Sequence, residues 1–259
     1  MSRQEKNCYT ADSPKQELTE PEYEQYITNC FGQAHEFSCE EYDLYARYFR
    51  KNYLVHMPED KCASILDVGC GGGHFLYFVR QAGYQNAMGI DVSPECVELC
   101  RSMGLRAEAR DAFSYVRERE EMFDLIVCND VLEHLSTDRG IELCRLALGA
   151  LKPRGRLIVK VPNMACPVTG CRCRFIDFTH KTGYTDHSLK ALLTTAGFGR
   201  TVVFGPSVHV TRSVFANFIG MVLFSISSVV FRILYKAYGV KGKHLMTKNV
   251  VAIARRSDA

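Results

Sequence analysis

Along the chain, short and nearly continuous apolar runs alternate with segments whose apolar residues recur every three or four positions. The runs at 64–68, 87–90, 105–109, 123–128, 156–161, 201–204 and 249–254 have the length of strands. The segments at 74–81, 94–103, 112–119, 141–151 and 188–196 repeat at helical spacing and end near glycine or proline, as at Lys152-Pro153-Arg154-Gly155 and at Gly197. Apolar strands separated by helices of about ten residues predict an α/β fold, a doubly wound and mostly parallel seven-stranded sheet with both faces covered.

Outside this core (expected over 61–210) the pattern changes three times. Residues 1–20 are polar and rich in Glu, Lys, Gln, Ser and Pro, which predicts a disordered tail. Residues 21–60 predict a helical cap, whose Tyr42, Tyr45, Tyr48/Phe49 and Tyr53 form an aromatic stripe expected to pack inward. Between the last two strands a short turn would suffice, yet residues 211–245 intervene before the final strand and tail (246–259). There, Ser213 to Phe231 are nineteen uncharged residues bounded by Arg212 and Arg232. Their length nearly permits a membrane span. Asn217, Ser225, Ser228, Arg232 and Lys236 recur at helical spacing, which favours a helix lying in the membrane interface with basic residues toward anionic headgroups. A helical hairpin packed on the domain and a full span are the other two readings.

Charge sharpens that picture. The net charge of +3 hides a stretch from His187 to Ser257 with ten Lys or Arg and no acid. Such a third suits an anionic partner, and the region 212–243 is the expected peripheral membrane contact. Nucleic acid is not an expected partner, because the basic residues interleave with a long aliphatic run and not with a polar groove. Twelve cysteines fall mostly inside apolar patterns, as at Cys96, Cys100, Cys128 and Cys144, where a thiol packs as a small hydrophobe. The opening MSRQEKNCYTADSPKQ has no apolar leader, so reduced thiols and a cytoplasmic location, at the inner face of the membrane, are expected. Cys166, Cys171 and Cys173 have a C-x4-C-x-C spacing unlike common zinc sites, and no metal is expected.

The candidate chemistry lies where strands run out. The first strand ends in Asp67-Val68-Gly69-Cys70-Gly71-Gly72-Gly73, and four glycines in five residues let a ligand approach the backbone at a helix N-terminus. A dinucleotide fingerprint wants an acid some 20 residues on. Here an acid ends the strand itself, which is useful beside a cationic amine and harmful beside a diphosphate. S-adenosylmethionine (SAM) is therefore the favoured cofactor.

At this point the chain resembles the class I SAM-dependent methyltransferases, through "ILDVGCGGGHF", "GIDVSPECVELC", "ARDAF", "FDLIVCNDVLEHL" and "LKPRGRLIVKVPN" in that order. The resemblance implies a SAM pocket across the C-terminal ends of the first four strands. It places Asp67, Gly69, Cys70, Gly71 and Gly73 around the methionine end, Asp91 and Val92 at the ribose, Asp111 and Ala112 at the adenine edge, and Asn129 beside the methionine and sulfonium. Glu133 and His134 are expected to start a helix facing the methyl acceptor. Asp177 and His180, in "RFIDFTHKTGYT", are the expected orienting carboxylate and general base, with a loop-locking hydrogen bond as the alternative. A more distant resemblance, carried by "DFTH" and "YTDHSLKALLTTAGF", is to bacterial enzymes that modify glycans, envelope components or secondary metabolites. The function expected is O-methylation of a sugar or lipid-linked glycan. A quinone or small phenolic acceptor is the alternative within the same chemistry, and a non-catalytic SAM-binding module the alternative of another class.

Overall fold

The computed structural model describes residues 38–207, 211–242 and 244–257, so the tail expected over 1–20 and the first part of the cap lie outside the described residues. Seven strands form one sheet: β1 (Ile65–Val68), β2 (Ala87–Asp91), β3 (Ala107–Ala109), β4 (Phe123–Asn129), β5 (Leu151–Pro162), β6 (Arg200–Phe204) and β7 (Asn249–Arg255). Their order is β3-β2-β1-β4-β5-β7-β6, parallel except for β7, which runs antiparallel to both its neighbours. The expected α/β architecture with seven mostly parallel strands is the one observed.

The helices are α1 (Cys39–Tyr53), α2 (His74–Gln81), α3 (Pro94–Ser102), α4 (Ala112–Arg117), α5 (Thr137–Ala150), α6 (Gly170–Phe175), α7 (Asp186–Ala196) and α8 (Val214–Ala237). All four residues of β1 are buried, as a strand covered on both faces requires. Alternate residues feed two cores. Leu66, Val68, Ile126 and Val159 meet Phe113, Leu143, Ala147 and Leu192 from α4, α5 and α7. Ile65, Leu125, Val127 and Ile158 meet Phe49, Tyr53, Phe75 and Phe78 from α1 and α2. Each fully buried side chain of this size contributes roughly 1.5–3 kcal/mol. Tyr42, Phe49 and Tyr53 of the aromatic stripe of α1 pack inward, Phe49 meeting Phe75 and Phe78 at ring distances of 5.3 and 5.8 Å, whereas Tyr45 is exposed.

Because the order reverses between β1 and β4, their C-terminal ends open a crevice at the topological switch point. Three expectations shift. The helix before Lys152-Pro153-Arg154-Gly155 ends at Ala150, and that tetrapeptide already belongs to β5, accommodated by Arg154 at φ 65° and a register break between Phe123 and Leu125. The segment around Glu133-His134 is a single 3-10 turn (Leu132–His134); the next helix begins only at Thr137. Among the described residues the insertion forms one continuous helix, α8, in place of a hairpin.

Candidate active site

At the cofactor edge, the loop after β1 is tied down by its own backbone. The amides of Gly69 and Cys70 donate to the Ile90 carbonyl at 2.8 and 3.0 Å. Gly69 has φ +66°, and a Cβ there would lie 2.5 Å from Val131 Cγ2, so only glycine fits. The Asp91 carboxylate bridges two loops, its Oδ2 accepting from Gly71 N at 2.8 Å and its Oδ1 from Ser93 N at 2.9 Å. The carboxylate keeps lone-pair capacity beyond these amides for a hydroxyl. A Cβ on Gly71 would meet nothing within 4 Å, so the loop faces open space. Tyr42 of α1 donates to the Gly72 carbonyl and stacks on His74.

The other expected cofactor residues have mixed placements. Cys70 turns its thiol into a small core with Leu76, Val97 and Cys100, and its Sγ lies 4.0 Å from that of Cys100. Gly89 leaves room for that thiol, so it is the main chain of Cys70 that faces the loop. Val92 lies exposed just past β2. Asp111 caps α4, its Oδ2 accepting from Ser114 N at 2.8 Å, with Ala112 starting the helix. Asp67 is fully buried; burial first and Asp91 second push its carboxyl well above the usual range, while Lys160 opposes them. Burial likewise raises Asp91, against the pull of the Ser93, Gly71 and Val92 amides. Two carboxyls held this way are relieved by a cationic ligand, which fits an amine or sulfonium and not a diphosphate.

At the end of β4, Asn129 Oδ1 accepts a 2.6 Å hydrogen bond from Tyr53 Oη, while its buried Nδ2 has no partner among the described residues. An orphaned buried donor at the end of β4 is the kind of vacancy a polar ligand fills. Asp130 adopts φ 56° and pairs with Lys160 at 2.5 Å. Lys160 is buried; desolvation is the largest single influence and lowers its pKa, but Asp130, Tyr48 and Tyr45 together outweigh it and the net shift is upward. Glu133 is buried with both carboxylate oxygens unpartnered among the described residues, and burial and then Asp130 drive its pKa up.

His134 and His180 come together with ring centroids 4.8 Å apart. His134 Nδ1 lies 2.7 Å from Thr179 Oγ1, which donates to Asp177 Oδ1 at 2.6 Å. His180 Nδ1 lies 2.8 Å from the Cys173 carbonyl. The expected pairing is thus rearranged: the Asp177 carboxylate reaches His134 through Thr179, while a main-chain carbonyl orients His180. Burial, then the neighbouring His180, lowers His134 to about 4. Sequence reasoning missed Tyr53, Thr179 and Lys160 as members of this edge. Only Lys160 left a signal, a lone cation inside the apolar run Leu157–Val161.

A sheet of this order with an acid-ended, glycine-rich first loop defines a Rossmann-like protein of the SAM-dependent methyltransferase class. The chain belongs to the family described as "Methyltransferase domain", whose profile matches residues 37–201. It is 32% identical over 120 residues to a ubiquinone biosynthesis O-methyltransferase of Xanthomonas oryzae pv. oryzae, covering 44% of this chain and 49% of that protein. The chain thus spans about half the length of the curated relatives it matches. Among solved structures it is similar to a SAM-dependent methyltransferase from Archaeoglobus fulgidus, at 20% identity and a TM-score of 0.64 over 89% of this chain and 97% of that one. It is also similar to Haemonchus contortus phosphoethanolamine N-methyltransferase 2 in complex with SAM, at 14% identity and a TM-score of 0.54 over 92% and 60%. The cofactor of the class is SAM.

The insertion completes the description. β6 runs parallel to β5, so the chain leaves it at the same sheet edge as the crevice. Helix α8 is held there by Tyr235, whose hydroxyl donates to the Ala165 carbonyl at 3.0 Å. Of its residues only Ser228 is buried, whereas Phe215, Leu223, Ile226 and Ile233 are each more than half exposed. By length and composition α8 is the one helix among the described residues able to cross a membrane. The expected polar stripe splits: Ser228 is buried and Asn217 is half-buried and bonded to the Thr211 backbone, while Ser225, Arg232 and Lys236 are exposed with the apolar residues.

Proposed function

We propose that the protein transfers the methyl group of SAM to a hydroxyl oxygen of an amphiphilic, membrane-held acceptor of the quinone-precursor or phenolic class. The observation that carries this reading is an uncovered apolar helix rooted at the sheet edge that holds the candidate site. The names of the curated relatives add support for a phenolic acceptor. Bound SAM supplies a methyl already activated on a sulfonium, so the chain's own tasks are alignment, water exclusion and acceptance of a proton. Gly69, Gly71, Gly73 and the main chain at Cys70 form the loop against the methionine end, with Asp67 and Asn129 beside the cation. Asp91 holds the ribose hydroxyls, and Val92, Asp111 and Ala112 border the adenine. His180 and His134 stand on the acceptor side as candidate bases, positioned by the Cys173 carbonyl and by Thr179 with Asp177.

Helix α8 lies in the interface at the cytoplasmic membrane face in this reading, with Arg232 and Lys236 toward anionic headgroups. A sugar or lipid-linked glycan hydroxyl is the second reading, favoured by the same helix and by the acid-poor C-terminal third. Methyl-labelled SAM offered with a prenylated catechol in vesicles, a soluble catechol, or a lipid-linked sugar in vesicles separates the readings. Label is expected in the prenylated catechol first. Label only in the lipid-linked sugar would install the second reading, and tight SAM binding without label in any acceptor would leave a non-catalytic binding module.

A further inference from the structure

The Glu133, His134 and His180 side chains each bring one ligand atom to a common point, all within 4.8 Å of one another. A bond length of about 2.1 Å to a transition metal sets its ligand atoms roughly 3–4 Å apart, so small side-chain rotations close the set. The tautomers are fixed by the neighbours. A carbonyl only accepts, so the Cys173 carbonyl requires the proton of His180 on Nδ1. Thr179 spends its single hydroxyl proton on Asp177, so it accepts from His134 Nδ1–H. Both imidazoles therefore carry their Nδ1 proton toward these acceptors, which leaves Nε2 of each as the atom to offer a metal. Beside them stands a carboxylate, 1% exposed, with neither oxygen partnered among the described residues. A charged or even a neutral carboxyl buried in that way is costly unless something binds it.

We propose that Glu133, His134 and His180 bind a divalent transition-metal ion of the zinc class, in a two-histidine, one-carboxylate set with further positions open. The neighbourhood suits a cation: Asp130 and Asp177 both place negative charge near Glu133, with Lys160 opposing them. The Asp177–Thr179–His134 chain and the Cys173 carbonyl provide the outer hydrogen bonds that orient ligating histidines. An ion on both Nε2 atoms replaces the histidines as the means of making a hydroxyl nucleophilic, because a coordinated hydroxyl releases its proton to solvent near neutral pH. That role rests on the methyl-transfer reading; the binding itself does not.

The test is titration of the chelator-stripped full chain with Co2+ as a spectroscopic probe, with SAM calorimetry on the same samples. One equivalent is expected, with weak visible bands and no intense near-ultraviolet thiolate charge transfer. Since altering an outer hydrogen bond typically costs 10–100-fold in metal affinity, Thr179→Val should lose about that much, and Glu133→Gln and His180→Ala should each lose about 100-fold or more. SAM affinity unchanged in the variants establishes that they are folded. No saturable binding by the unaltered chain, unchanged affinity in both Glu133→Gln and His180→Ala, or a thiolate band reporting Cys166, Cys171 and Cys173 instead, each overturns the proposal. SAM bound without metal leaves the methyl-transfer reading standing, whereas metal bound without SAM sinks that reading alone.

Discussion

The two edges of the crevice differ in how far they are finished. Along β1–β3 the acids are already engaged by nearby amides: Asp91 holds Gly71 and Ser93, and Asp111 holds Ser114. Beyond β4 the polar groups are left wanting, with Asn129 Nδ2, both Glu133 oxygens and the Tyr48 hydroxyl unpartnered among the described residues. The apolar surface there is unfinished too, since α8 exposes nearly all its large side chains. The first edge is preorganised by short-range hydrogen bonds for a ligand it shares with its class. The second is arranged around groups that something outside the chain has to satisfy.

Removing residues 212–243 attacks the unfinished edge most directly. Flotation with anionic vesicles should be abolished while SAM affinity stays unchanged; a chain that still floats would break the contrast. At the finished edge, Asp91→Ala removes a carboxylate whose charge-assisted bonds are worth about 1.5–3 kcal/mol each, so calorimetry should find SAM bound about 100-fold more weakly. Gly69→Ala adds a Cβ in a left-handed conformation against Val131. It should cost about 1–3 kcal/mol, a melting temperature lower by roughly 2–10 °C.

Two smaller effects sharpen the comparison. The folded Asp67 carboxyl lies well above its ordinary value of 3.8, so the fold favours its protonated form. The stability this contributes is present at pH below that value and is lost as pH rises through the folded pKa. Asp67→Asn should therefore gain on the unaltered chain as pH is raised from about 4 to 8 in thermal melts, while binding SAM less well. A gap that shrinks with rising pH would contradict the assignment of Asp67 as a buried, disfavoured charge. Tyr53→Phe, which deletes one hydrogen bond to Asn129, should cost only about 1 kcal/mol in denaturant unfolding.

Much of the cofactor edge was legible before the fold was known, because its signals are local. Four glycines in five residues, an acid at the last turn of a strand and a helix starting at His74 are all properties of neighbouring residues. Even so, the inward turn of the Cys70 thiol was not legible, since only the packing of Gly89 beneath it reveals that direction. The acceptor edge was legible only as a list of residue types. His134 and Thr179 stand 45 positions apart, and Tyr53 and Asn129 stand 76 apart. No spacing rule connects them.

The sequence by itself determined the seven strands, their alternation with helices and the side of the sheet on which the acids end, because hydrophobic period and turn chemistry act over a few residues. The tertiary structure alone decided that Asp177 acts through Thr179 on His134, that Glu133 is buried beside two histidines, and that α8 is a single helix with its apolar surface uncovered. Those outcomes depend on strand register and on which side chains fill the remaining space, and packing of that kind is set by the whole chain at once.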